Sequence, residues 1–360
     1  MRVLLAGGGT GGHIYPLLAV AAAAPDWQCS YAGTPTGLEA RIVPRAGLPF
    51  YPVPAGGVSG KSPAQRLRGV LRTARGSLSA WRLLGRLRPD VVLSSGGYAA
   101  FPVALAARWR RVPLVLIEPN ATPGLANRLL MGRADRILVG FEAARSKLPL
   151  ELQVRTVVTG VPVRQIGGTE RLAAREALGF SPDSVLVAVT GGSQGARALN
   201  EAVFAIGDRL AEGEEILLAT GQKEYERWSG RQGGRLHIQP YFWQMDDVLA
   251  AADIFIGRAG AMTCAEITVA GLPSVLVPLP NPAVHQVDNA RLLADAGAAL
   301  LLEERDLTPD SLWETLSALM REPGRRTAMA QAAQALGRRD AAAAAAREVE
   351  RVLHRRSAAR

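Results

Sequence analysis

Cysteine is nearly absent from this chain. Two residues in 360, Cys29 and Cys264, exclude a disulfide framework and a cysteine-rich metal site. No apolar run reaches the roughly 18–20 residues of a membrane span. The opening Met1-Arg2-Val3-Leu4-Leu5 enters a strand without a secretory leader pattern, so a reducing cytoplasm is the expected compartment. Aromatics are few, at 5%, and histidine occurs only at 13, 237, 285 and 354. The most local absence is of acid. Residues 61–88 carry Lys61 and seven arginines and not one Asp or Glu.

What is present is globular: 48% hydrophobic and 21% charged residues, with 38 glycines to supply turns. At this length two α/β domains are expected rather than one core. The net charge of +10 is uneven. Residues 1–160 hold 20 Lys/Arg against 7 Asp/Glu, a net +13, so the N-terminal half carries the whole basic excess and calls for an anionic partner.

One unit of pattern occurs twice. Val3-Leu4-Leu5-Ala6 runs into Gly7-Gly8-Gly9-Thr10-Gly11-Gly12-His13, and Val185 to Thr190 runs into Gly191-Gly192-Ser193-Gln194-Gly195-Ala196. Glycine lets the backbone turn tightly and approach a ligand, and the helix beyond presents free N–H groups to anionic oxygens. Further apolar strands read at Cys29–Ala32, Val91–Leu93, Leu114–Ile117, Ile137–Val139 and Thr156–Val158, then at Ile216–Ala219, Leu236–Ile238, Ile254–Ile256, Ser274–Val277 and Ala299–Leu302. Helices fit between them, such as Pro16–Ala24 and Phe101–Trp109. The pattern predicts two Rossmann-like α/β domains with parallel sheets facing across a cleft, 1–162 and 163–340. The Ala-rich tail, 341–360, would be a helix strapped back onto the first domain without forming core.

Gly7, Gly9 and Gly12 satisfy G-x-G-x-x-G, but the second strand ends Ser30-Tyr31-Ala32-Gly33-Thr34 without the acid that a dinucleotide ribose requires. His13 stands where a phosphate or sugar would lie and reads equally as a structural or a catalytic residue. Arg258-Ala259-Gly260-Ala261-Met262-Thr263-Cys264-Ala265-Glu266 follows a strand and opens a helix. Small residues there admit a diphosphate to the helix dipole, and Glu266 is placed to accept from a ribose diol. Asp246-Asp247 reads as a charge pair at a helix start. No metal site is evident and no cofactor is implied.

These motifs, with Gly96-Gly97-Tyr98, Gly160-Val161-Pro162-Val163-Arg164, Ala270-Gly271-Leu272-Pro273 and Gln286-x-x-Asn289-Ala290, resemble the family of UDP-GlcNAc-dependent transferases that convert lipid I to lipid II in peptidoglycan synthesis. The resemblance spans roughly residues 5–300 and implies the two-domain B-type glycosyltransferase fold. It places donor contacts on Thr10, Gly11 and Gly12, on Arg164, Ser193 and the adjacent Gln194 at the diphosphate, and on the Phe242 backbone at the uracil. Arg258 opens the donor loop, Ala261, Met262, Thr263, Cys264, Ala265 and Glu266 cradle phosphate and ribose, and Gln286 holds the sugar hydroxyls. Asn120 faces the sugar from the first domain. His13 resembles the family's general base, and Glu118 is the second candidate. Ile117-Glu118-Pro119-Asn120 stands where the family has His-Glu-Gln-Asn, and Phe242-Trp243-Gln244-Met245 replaces an Ile-Asp-Asp-Met-like run.

In the acid-free segment, Leu67, Val70, Leu71, Ala74, Leu78 and Trp81 share one helical sector, and Arg68, Arg72, Arg75, Arg82 and Arg86 an adjacent one. This is the pattern of a basic amphipathic helix in an anionic lipid interface. The other reading is a core helix with a solvated basic face, and Gly69 and Gly76 weaken a continuous helix. Nucleic acid lacks a binding motif here. The implied partners are UDP-GlcNAc, lipid I, an anionic membrane on its cytoplasmic side and other cell-wall synthesis proteins. Another B-type sugar transferase on a lipid acceptor, a UDP-GlcNAc epimerase and a silent membrane scaffold remain alternatives.

Overall fold

A computed structural model describes residues 1–57, 62–164, 166–192, 194–231, 233–281 and 284–358. Lys61 and Ser193 lie outside the described residues. The chain divides into two compact units, Met1–Arg164 with Asp340–Arg360, and Gln165–Arg339. Arg164, read from sequence as part of the second domain, therefore belongs to the first unit.

Unit 1 is a parallel sheet of β1 (Arg2–Gly7), β2 (Gln28–Gly33), β3 (Phe50–Pro52), β4 (Val91–Gly96), β5 (Leu114–Glu118), β6 (Arg136–Val139) and β7 (Thr156–Val158), in the order β3-β2-β1-β4-β5-β6-β7. Unit 2 is a parallel sheet of β8 (Val185–Thr190), β9 (Glu214–Ala219), β10 (Leu236–Gln239), β11 (Ile254–Gly257), β12 (Ser274–Leu276) and β13 (Ala299–Leu301), ordered β10-β9-β8-β11-β12-β13. The inner strands are Val/Leu/Ile-rich because helices bury both faces. Only β3 escapes the sequence reading. It has three residues and ends in proline, which an edge strand tolerates.

In each sheet the strand order reverses once, between β1 and β4 and between β8 and β11. Such switch points open a crevice at the carboxyl ends of the strands. The glycine turns after β1 and β8 leave the sheets there.

The terminal helix Ala341–Ala358 corrects the strap expectation. Ala345, Ala346, Val349 and Val352 are buried with Val3, Leu5, Ile14 and Val91 in one core of unit 1. Their small size lets the helix come close to the sheet, and an Arg136–Glu348 ion pair of 2.8 Å adds a buried clasp.

The helix Pro63–Leu87 is continuous and begins with a Ser62/Gln65 capping box. Gly69 and Gly76 lie on its buried face, where they allow contact with backbone at Gly56 and Pro54. Ala80, Leu83 and Leu84 continue that face into the core. Leu67, Val70, Leu71, Leu78 and Trp81 point to solvent, with Leu67 at 62% exposure. The core-helix reading fails at this stripe, because the small residues are the ones that pack.

Candidate functional site

In unit 1 the turn after β1 is held by a carboxylate that the sequence reading missed. Glu39 is fully buried and accepts from Gly9 N at 3.1 Å, Thr34 N at 2.9 Å and Thr34 Oγ1 at 2.6 Å. Gly8, Gly33 and Gly37 surround it so closely that a β-carbon on any of them would strike its side chain. The signal was there: a Glu two residues after Gly37, beside a second strand lacking the expected acid.

Thr10 begins the helix Gly11–Ala22 without a side-chain cap, and Gly11 and Gly12 supply its first N–H groups. His13 follows, half-buried. Its Nδ1 is 2.8 Å from the Ser95 carbonyl oxygen, near the end of β4. A carbonyl only accepts, so Nδ1 carries the proton and Nε2 keeps its lone pair. Burial pushes the His13 pKa below its ordinary value, opposed by the Glu118 charge, the Ser95 hydrogen bond and the Glu39 charge. The Ser95 hydroxyl donates to the His13 carbonyl, so ring and backbone are fixed by one residue. Gly97, at φ 76°, packs against the His13 ring. The Arg164 guanidinium lies 5.4 Å over the Tyr15 ring, one turn along from the glycines.

Glu118, at the end of β5, is buried and spoken for. It accepts from Asn120 N at 2.9 Å and Nδ2 at 3.0 Å, Gly124 N at 2.9 Å and Asn127 Nδ2 at 3.0 Å. Both oxygens are occupied, which corrects its reading as a base: this carboxylate organises the 119–127 loop and holds Asn120 in place.

In unit 2 the turn after β8 leads to the helix Arg197–Ile206, again with no side-chain cap. Gly195, at φ 75°, and Gly221, at φ 90°, pack backbone to backbone. Asn200, fully buried, locks the same contact by donating to the Thr220 carbonyl at 2.9 Å. Gln194 is exposed on this loop.

The turn after β11 opens the helix Ala261–Ala270 from Gly260, which offers no side-chain cap either. Ala261, Met262 and Thr263 therefore present backbone N–H groups at the switch point, while Cys264 N already bonds the Gly260 carbonyl. Met262 and Thr263 are partly exposed; Ala265 and Glu266 are buried. Two residues depart from what the sequence predicts. The Arg258 guanidinium donates to the Val277 carbonyl at 3.1 Å and pairs with Glu304, so it braces the loop from behind. The Cys264 thiol is wholly buried and pushed up to about 12 by desolvation, which leaves it a packing group.

Gln286 is partly exposed at the start of the helix Gln286–Asp295, with its Oε1 taken by Leu279 N at 2.9 Å. Asn289, fully buried, donates to the Ala259 carbonyl at 3.1 Å and ties this helix to the β11 turn. The Phe242 side chain is buried and Trp243 beside it is exposed, so Phe242 can meet a ligand only through its backbone. Asp246 and Asp247 accept from Gly167 N and the Thr169 hydroxyl, each at 2.8 Å, and anchor the segment entering unit 2.

Each unit thus carries uncapped helix N-termini on glycine turns at a sheet switch point, and unit 1 adds an oriented imidazole. Such an arrangement serves a phosphorylated ligand and a proton transfer. Known proteins match along nearly the whole chain. The UDP-N-acetylglucosamine–N-acetylmuramyl-(pentapeptide) pyrophosphoryl-undecaprenol N-acetylglucosamine transferase of Desulforudis audaxviator is 42% identical over 356 residues, covering 94% of this chain and 95% of its own. The enzyme of the same name from Salinibacter ruber is 43% identical, covering 97% and 96%. The crystal structure of Acinetobacter baumannii MurG superposes with a TM-score of 0.76 at 29% identity, over 97% of this chain and 99% of that one. A UDP-GlcNAc 2-epimerase from Neisseria meningitidis, bound to UDP-GlcNAc, shares the fold at a TM-score of 0.68 and 14% identity, over 99% and 100% of the chains. Residues 3–139 match the glycosyltransferase family 28 N-terminal domain and residues 186–345 its C-terminal domain, and with both halves matched in order the chain belongs to glycosyltransferase family 28.

Proposed function

We propose that this enzyme transfers N-acetylglucosamine from UDP-GlcNAc to the C4 hydroxyl of undecaprenyl-diphospho-MurNAc-pentapeptide, lipid I, giving lipid II with inversion at the anomeric carbon. The observation that carries this reading is full-length identity above 40% to relatives named for that reaction, on a chain that keeps an oriented His13. The acceptor oxygen forms the new bond to the anomeric carbon as the bond to the diphosphate breaks. UDP leaves with the electron pair, and the acceptor proton passes to His13 Nε2. In unit 2 the N–H groups at Ala261–Thr263 suit the developing diphosphate charge without a metal, and Glu266 suits the ribose diol. In unit 1 Arg164 offers a further cation and Asn120 a sugar contact. Epimerisation of UDP-GlcNAc would have no need of the basic segment 61–88.

Radiolabelled UDP-GlcNAc and a short-chain lipid I analogue test the reading. Labelled disaccharide lipid with one UDP released per transfer is expected. Transfer only to a diacylglycerol, or UDP-ManNAc without an acceptor, would replace it. In the same assay Glu266→Ala should raise the donor KM about 10- to 150-fold, the loss of a charged acceptor contributing about 1.5–3 kcal/mol. An unchanged donor KM removes Glu266 from the site.

The reading extends to location, peripheral on the cytoplasmic face of the membrane. No helix among the described residues is long and apolar enough to cross a bilayer. The exposed Leu67, Leu71, Leu78 and Trp81 stripe, flanked by Arg68, Arg72 and Arg75, supports docking on anionic lipid. Each arginine near such a surface contributes about 1 kcal/mol, attenuated by salt. Reversing all three to Glu should abolish co-sedimentation with anionic vesicles at moderate salt and leave transfer to a soluble acceptor nearly intact. Unchanged sedimentation would exclude this helix as the docking surface.

A further inference from the structure

Glu39, the carboxylate beneath the glycine turn of unit 1, has no cationic partner among the described residues. Its three donors, the Gly9 N–H, the Thr34 N–H and the Thr34 hydroxyl, are all neutral. A buried charge without a counter-ion carries a desolvation penalty that an ion pair would partly offset, and a neutral amide would brace the same turn with less. The charge therefore calls for a role beyond bracing.

The turn connects it to His13. Gly9 holds φ at 90°, a left-handed value that L side chains rarely adopt, and gives its N–H inward to the carboxylate. The Thr10 carbonyl, next along the chain, accepts from His13 N at 3.1 Å. A β-carbon on Gly7 would strike the His13 carbonyl and the Ser95 hydroxyl, and one on Gly97 would strike the Gly8 carbonyl and crowd the His13 ring. Glu39 therefore bears on the turn at Gly8 and Gly9, while His13 and Ser95 meet it at Gly7 and through Gly97. No glycine side chain lies between to absorb a shift.

Two buried carboxylates act on the imidazole, Glu118 from the end of β5 and Glu39 from the start of the helix Glu39–Arg45, and both oppose the effect of its burial. The other polar neighbours are the Ser95 carbonyl on β4 and the Arg164 guanidinium over Tyr15, on the His13 helix. A buried charge is weakly screened, so one left without a counter-ion acts on the ring at close to full strength.

We propose, resting on the transfer reaction read above, that Glu39 is a positioning residue for His13. Its carboxylate fixes the glycine turn, which sets the ring where the acceptor hydroxyl meets Nε2, and its charge stabilises the imidazolium formed when that proton arrives.

The test exploits the small number of histidines, four in the chain. Full-length protein is labelled with carbon-13 at the imidazole Cε1, and the His13 resonance is identified by its loss in His13→Ala. Glu39→Gln keeps the size and removes the charge, and its amide N–H2 confronts donors where the carboxylate accepted. The His13 titration midpoint should move to lower pH than in wild type, while those of His237, His285 and His354 stay in place. Turnover with a soluble lipid I analogue should fall about tenfold or more, with donor KM within about threefold of wild type. A fall in turnover with an unmoved His13 midpoint would make Glu39 a structural brace only and overturn the proposal, as would unchanged turnover. The titration needs no acceptor. If wild type transfers no sugar to lipid I but the His13 midpoint still follows Glu39, the transferase reading fails and the Glu39–His13 coupling stands. Gly37→Ala repeats the comparison if Glu39→Gln does not fold. Gly37 lies outside the turn and is not among the left-handed glycines, and a β-carbon there meets both Glu39 carboxylate oxygens. Lower turnover with a displaced His13 resonance is expected, and an unperturbed resonance overturns the proposal.

Discussion

His13→Ala is expected to lower kcat by about 10²–10⁴-fold with little change in donor KM. In the proposed reaction the imidazole is the base. Its Nδ1 proton is committed to the Ser95 carbonyl, so the acceptor hydroxyl meets Nε2 with a free lone pair. Burial favours the neutral ring, which places the loss of activity on acidification below the ordinary histidine range. A profile of kcat against pH should therefore fall on acidification with a midpoint below that of an ordinary histidine, and the variant should lose that limb. Glu118 cannot take over, since four donors already occupy its oxygens. Turnover within threefold of wild type would place the base elsewhere.

Arg175→Met is expected to destabilise unit 2 by about 3–5 kcal/mol. The guanidinium is 1% exposed and donates to the carbonyls of Ser181, Pro182, Ser184 and Ala251, at 2.7 to 2.9 Å, and to Asp253 at 2.6 Å. Methionine fills the volume but removes a donor from four carbonyls, those of Ala251 and Ser184 on buried residues, and leaves the Asp253 oxygen with Leu186 N alone. The β8 and β11 region should lose hydrogen-exchange protection first, while β1 and β4, cored separately, keep theirs. An unfolding midpoint unchanged in urea would mean that water replaces the lost donors without cost.

The strand–turn–helix rhythm was legible because parallel strands covered on both faces must be continuous apolar runs, and because the glycine turns need glycine. Most strands deviate from the reading only at their ends. Residues whose role depends on distant partners were illegible. Arg175 sits in Arg171-Leu172-Ala173-Ala174-Arg175, which looks like an ordinary surface helix, and two of its five acceptors, the Ala251 carbonyl and Asp253, lie 76 and 78 positions on. Arg258 looked like an anion contact because Glu304, 46 positions on, gave no local sign of claiming it. Glu39 lay hidden among glycines whose crowding appears only in three dimensions. On the helix Pro63–Leu87, hydropathy marked an apolar and a basic sector, yet periodicity does not say which face is covered. Gly69, Gly76 and Ala80 settle that by letting backbone approach, a property that apolarity scales ignore.

Because the last helix belongs to the first unit, synthesis and assembly run in different orders. A chain emerging from the ribosome at about 5–20 residues per second exposes β1 to β7 long before Val349 and Val352 exist to cover Val3 and Leu5. Unit 2, contiguous from 165 to 339, can complete its core while unit 1 still waits with an open apolar face. The earlier-made half should thus mature last, and a nascent chain stalled near residue 340 should recruit holdase chaperones through its N-terminal segment.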